Sequence, residues 1–128
     1  MEPKLFDSEL KVMGVLWREG EATAKRIAEV LAAVVGWNRN TTYTVIKKLI
    51  DKGAVSRSDP GFLCTPLVTR EEVQRQETDS LISRLFGGSA TQFLSAFLSE
   101  RDLTPAEADQ LRELIGSFSQ EKENQKER

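Results

Sequence analysis

The chain has 128 residues, of which 39% are apolar and 30% charged, and its formal net charge is −2. That length suits one ordinary domain or two small ones, and no apolar run approaches the roughly 20 residues of a membrane span. Histidine is absent and cysteine occurs once, at Cys64, which removes His-based triads, imidazole metal sites and internal disulfides.

The charge is unevenly placed. Residues 1–67 carry ten Lys/Arg against eight Asp/Glu, a balance of +2, whereas residues 68–128 carry eight against twelve, or −4. The first stretch is the better partner for a polyanion, although +2 is small and local clustering has to carry the case. The N-terminus shows no basic segment followed by an apolar core, so no secretory signal is expected and the chain reads as cytoplasmic.

In chain order, residues 7–19 form the first predicted helix. Leu10, Met13, Leu16 and Trp17 mark its apolar side, Asp7 its cap and Gly20 its end. Thr23 caps a second helix whose stripe is Ala24, Ile27, Ala28, Leu31 and Val34, and Gly36 ends it. Trp37 is expected to close the core or pair with the hairpin that follows. Very few residues separate this helix from the next, as a helix-turn-helix requires.

The third helix starts at Asn38, an N-cap type. Val45, Ile46, Leu49 and Ile50 recur at helical spacing and face a core, while Arg39, Asn40, Thr41, Tyr43, Thr44, Lys47 and Lys48 share the other face. That face holds no acid before Asp51. Amides, hydroxyls and a phenol suit base edges and sugars, and the cations suit phosphates. Gly53 stops the helix. Two strand-like runs, 54–57 and 62–66, flank the turn sequence Ser58-Asp59-Pro60-Gly61. Three helices and a hairpin in this order spell a winged helix-turn-helix, with Arg57 on the wing as a further phosphate contact. A merely solvated face, or a winged helix that binds protein, is the blander alternative.

Three more helices follow. Thr69-Arg70-Glu71-Glu72 is a capping box that opens a helix to about residue 86, polar at first and apolar only at Leu81, Ile82, Leu85 and Phe86. Gly87-Gly88 breaks it. Ser89 opens the next, with Phe93, Leu94, Phe97 and Leu98, and Thr104-Pro105 opens the last, with Ala108, Leu111, Leu114, Ile115 and Phe118. About 50 residues of this kind bury themselves poorly alone, and a second copy is the economical partner. Leu81, Leu85, Phe93, Leu94, Phe97, Leu98, Leu111, Ile115 and Phe118 are therefore the expected dimer interface. Residues 120–128 are wholly polar and are expected to fray or disorder.

These residues resemble the penicillinase-repressor (BlaI/MecI/CopY) family of winged-helix transcriptional regulators. The likeness rests on Asp7 to Met13 with Leu16-Trp17, on Trp37 to Thr44, on Thr65-Pro66-Leu67 and on Thr69 to Glu72. Phe86 to Ser89 and Leu103-Thr104 to Leu114 extend it over nearly the whole chain. Thr41 and Thr44 match threonines of the family's recognition helix, while Arg39 replaces its usual Pro and Asn40 a common Lys. Tyr43 replaces Gln or Arg, and Lys48 replaces Arg. The resemblance implies a homodimer on double-stranded operator DNA with inverted TACA/TGTA-type repeats. It also implies induction by a membrane sensor protease that cuts an Asn-Phe bond, whose place is taken here by Ala96-Phe97. The cysteine-rich tail of the copper-responsive members is absent, which points to the penicillinase-type branch.

The expected architecture is mainly α. A winged-helix DNA-binding domain spans 1–67, a helical dimerisation domain 68–119 and a polar tail 120–128. No cofactor, metal, catalytic group or direct membrane contact is expected. The expected function is a homodimeric repressor that blocks polymerase access without chemistry. Its rival is a ligand-responsive regulator with an effector pocket in the C-terminal helices.

Overall fold

Three helix ends organise the first half of the chain. The computed structural model describes residues 4–126, and in it α1 (Asp7–Glu19), α2 (Ala24–Val35) and α3 (Arg39–Asp51) are joined by short turns. Thr23 Oγ1 accepts from Arg26 N at 3.1 Å, and Asn38 Oδ1 accepts from Thr41 N at 2.8 Å, so both predicted N-caps are formed. Gly36 leaves α2 in the left-handed region at φ 73°, where an L side chain would be strained. That single residue lets α3 start three residues later, at Arg39.

The cap of α1 differs from expectation. Phe6, not Asp7, holds the N-cap position, and its N–H donates to Glu9 Oε1 at 2.8 Å. Glu9 is only 1% exposed and meets Lys52 Nζ at 2.6 Å. The same ammonium donates to Lys4 O at 2.9 Å and lies 4.4 Å from the Phe6 ring centre. A carboxylate this deep requires a charged partner, and Lys52 supplies it from the end of α3.

Val12, Met13, Val15 and Leu16 of α1 pack with Ala24, Ile27 and Leu31 of α2 and with Val45, Ile46 and Leu49 of α3. Leu10, Trp17, Trp37 and Ile50 pack at the edge of this core, half-buried. Val34 departs from the predicted stripe: it is 71% exposed, as the last turn of α2 overhangs the core. The wing is β2 (Val55–Ser58) and β3 (Leu63–Pro66), antiparallel, with Val55 opposite Pro66 and Ser58 opposite Leu63. A third strand, β1 (Ala22–Thr23), pairs with the other edge of β3. Two residues leave no periodicity to read, so this strand is invisible in the sequence.

Residues from 70 onward form α4 (Arg70–Phe86), α5 (Ala90–Leu98) and α6 (Pro105–Lys126). The chain divides into two compact units between Leu81 and Ile82, inside α4 rather than after residue 67. The first turns of α4 join the head because Val73 is buried and Trp17 Nε1 donates to Val68 O at 2.9 Å. The expected polar tail is also corrected over its first part. α6 continues to Lys126, since Gln, Glu and Lys are good helix formers even where nothing is buried. Residues 127 and 128 lie outside the described residues.

Among residues 82–124 no side chain is fully buried. Phe93 meets Phe86 edge-on and stacks on Phe97, with centroids 5.5 and 5.8 Å away. Leu85, Leu94, Phe97, Leu114, Ile115 and Phe118 remain exposed.

Candidate nucleic-acid interface

The outer face of α3 begins at a helix N-terminus, where free N–H groups and the helix dipole favour an anion. No acid stands in its first turn. Asn40, Thr41, Thr44, Lys47 and Lys48 are all exposed. Among the described residues neither lysine forms an ion pair, so both ammonium groups are free for phosphate. Thr44 Oγ1 donates to Asn40 O at 2.9 Å, which fixes its rotamer and leaves its lone pairs facing out. Asn38 spends its side-chain oxygen on the cap and keeps only its NH₂ for a ligand.

Tyr43 is engaged within the chain. Its ring is half-buried and meets Phe62 of the wing edge-on, with centroids 5.7 Å apart. Arg39 lies over Tyr43 at 5.2 Å and its Nη2 donates to the phenol oxygen at 3.2 Å. On the far side the Arg57 guanidinium lies 3.6 Å from the Phe62 ring centre. Arg39, Tyr43, Phe62 and Arg57 thus form one ladder from recognition helix to wing. Cation–π and edge-to-face contacts of this kind contribute about 0.5–1.5 kcal/mol each. Phe62 takes φ 52° to reach its place, and its carbonyl accepts from Ala24 N at 2.9 Å.

Arg57 stands where the sequence places it, on the wing, but it is engaged. Its Nε lies 3.1 Å from Asp59 Oδ2 and its Nη2 3.2 Å from Oδ1. Phe62, Asp59 and the buried Thr42 are the residues that sequence reasoning misses here. An arginine two residues before an aspartate at a hairpin turn is a visible signal for the pair. No sequence signal sets the wing's register against α3, which is what brings Phe62 to Tyr43. Cys64 is fully buried in β3, and that burial pushes its thiol up to about 11 despite the nearby Arg57 charge. A thiol so protonated is a packing group rather than a nucleophile or redox sensor.

The family model of the penicillinase repressors matches residues 5–117. The chain belongs to the penicillinase repressor family. It is similar to the penicillinase repressor of Bacillus licheniformis, 25% identical over 115 residues, which cover 88% of this chain and 90% of that one. The methicillin resistance regulatory protein MecI of Staphylococcus aureus (strain N315) is 24% identical over 114 residues, covering 88% and 93%. The fold matches the solution structure of the DNA-binding domain of the repressor BlaI with a TM-score of 0.52. That match has 28% identity and covers 56% of this chain and 90% of that one. A second match, with TM-score 0.51 and the same identity and coverage, is monomeric Bacillus licheniformis BlaI in complex with the blaP half-operator. The chain is a winged-helix DNA-binding transcriptional repressor, and it is not an enzyme. No helix among the described residues is long and apolar enough to cross a membrane.

Proposed function

We propose that this penicillinase-repressor-family chain acts as a cytoplasmic homodimer that represses transcription from an inverted-repeat operator. The observation that carries the DNA contact is the acid-free outer face of α3, on the fold that BlaI shares. Asn38, Asn40, Thr41 and Thr44 would enter a major groove, Arg39, Lys47 and Lys48 would meet phosphates, and Arg57 would lie along the backbone from the wing. Tyr43 serves this reading as the residue that sets the wing against the helix. The head extends into α4, and the residues from about 81 onward join the two copies.

Open apolar side chains from the end of the first unit through the second support that dimer. Leu81, Leu85, Phe93, Leu94, Phe97, Leu98, Leu111, Ile115 and Phe118 are exposed or half-buried in one chain. A two-fold partner would cover them and place two heads on a pseudo-palindrome. A groove of about 480 Å³ among Leu94, Phe97, Leu98, Leu111 and Ile115 is the feature that favours the rival reading, an effector pocket. Its apolar lining belongs to the same open face.

Fluorescence anisotropy on a duplex with an inverted TACA/TGTA repeat, against a scrambled duplex, tests the function. Thr44→Val removes one hydroxyl from the groove face and is expected to lower the operator-to-random ratio about tenfold, leaving random binding unchanged. Equal affinity for both duplexes, or a Thr44→Val ratio like that of the wild type, overturns this docking.

Induction is expected to depart from the family pattern. Ala96 and Phe97 are exposed, yet their peptide bond lies within α5, and Ala96 O accepts from Ser99 Oγ at 3.0 Å. A protease subsite built for an asparagine amide leaves its polar groups unpaired against a methyl group, and the helix must open before cleavage. A membrane sensor protease with that specificity is therefore not expected to cut here. Terminal sequencing of the repressor from its host after β-lactam exposure checks this; a fragment ending at Ala96 refutes it.

A further inference from the structure

The wing carries an arginine whose polar edge is already filled. Asp59 presents both oxygens to Arg57, with Nε at 3.3 and 3.1 Å from Oδ1 and Oδ2 and Nη2 at 3.2 Å from Oδ1. This is the two-pronged contact that a guanidinium makes with carboxylate or phosphate alike. The apolar face of the same guanidinium rests on Phe62, which Tyr43 and the Ala24 N–H hold in place. Arg57 is thus fixed in position, with its donors aimed at an anion. The side chains of Arg57 and Asp59 remain 45% and 61% exposed, so a phosphate can reach the pair.

We propose that Asp59 is an internal stand-in for a DNA phosphate, which the DNA backbone must displace before Arg57 contributes to binding. The inference rests on the reading that the wing meets DNA. Its consequence is attenuation. As folded, the wing's Arg57 and Asp59 cancel and add nothing to the long-range attraction for DNA. When a phosphate takes Arg57, the released carboxylate recruits a cation from solution. The contact then gains little from the counterions that DNA releases.

Asp59→Asn keeps the shape of the side chain and removes its charge, and circular dichroism and a thermal melt would confirm an unchanged fold. The full chain would be titrated by fluorescence anisotropy on operator and random duplexes between about 50 and about 200 mM salt. Affinity at the lowest salt is expected to rise about 2- to 5-fold per wing, hence about 4- to 25-fold for two wings. The slope of log affinity against log salt should steepen by about 0.9 per subunit. Two controls separate this from the general effect of losing an acid. Asp51→Asn removes an exposed acid at the end of α3, and Asp59→Asn in an Arg57→Ala background removes the same acid without its arginine. Both should gain less than twofold. No gain in Asp59→Asn, or a gain of the same size in either control, overturns the proposal while leaving DNA binding intact. Failure of the wild-type chain to bind either duplex overturns the DNA-binding reading and this inference with it.

Discussion

Leu94→Asp is expected to reduce the sedimenting mass from that of two chains to the 14.4 kDa of one. Leu94 is 39% exposed in the single chain, and Ile115 and Phe118 of the same unit are 60% and 58% exposed. A two-fold interface over these residues buries both copies of the new carboxylate. At about 3 kcal/mol each, within the range for an unpaired polar group in apolar surroundings, the pair weakens dimerisation by about 10⁴. Phe97 is a poorer choice of position. The Arg101 guanidinium lies 4.0 Å from its ring centre and would pair with an aspartate placed there. The residues three and four positions from Leu94 are Ala90, Thr91, Phe97 and Leu98, none of them a cation. The head, with its own core, should melt as before, which sets loss of assembly apart from general unfolding. A Leu94→Asp chain that still sediments as a dimer, or a wild-type chain that is monomeric at the same concentration, removes the dimer from the model of action.

The parts of this fold that are legible in the sequence are those set by local geometry. Thr23 and Asn38 cap because their side chains reach a backbone N–H three residues on, a relation that no distant contact decides. Val45, Ile46 and Leu49 are buried as their 3.6-residue period requires. What the sequence hides is decided at long range. The true N-cap of α1 depends on Glu9 being held beneath Lys52, a partner 43 positions away. The place of Tyr43 depends on where the wing folds back, because that is what brings Phe62 edge-on to its ring. The length of α6 was open to a local argument, because its polar end is rich in helix formers. Polarity indicates exposure and is no evidence against helix.

Raising salt from about 50 to about 200 mM is expected to lower operator affinity about 10³-fold. The face of α3 offers Arg39, Lys47 and Lys48 to phosphates, all exposed and none paired with an acid among the described residues; Arg57 is held by Asp59. The two subunits of the proposed dimer would present two sets of three such cations, about six phosphates in all. Each neutralised phosphate contributes about −0.9 to the slope of log affinity against log salt, giving about −5.4 and the loss just stated. The chain's net charge of −2 does little to blunt this. At about 0.1 M salt the screening length is about 10 Å, so the phosphates respond to the helix face rather than to the acidic C-terminal half. Lys48→Ala removes one cation from each subunit. It should weaken operator and random binding alike, lower the slope to about −3.6, and reduce the loss over the same salt range to about 150-fold. Titrations at four or five salt concentrations give the slope directly. An affinity insensitive to salt, or a slope that Lys48→Ala leaves unchanged, would move the phosphate contacts off α3.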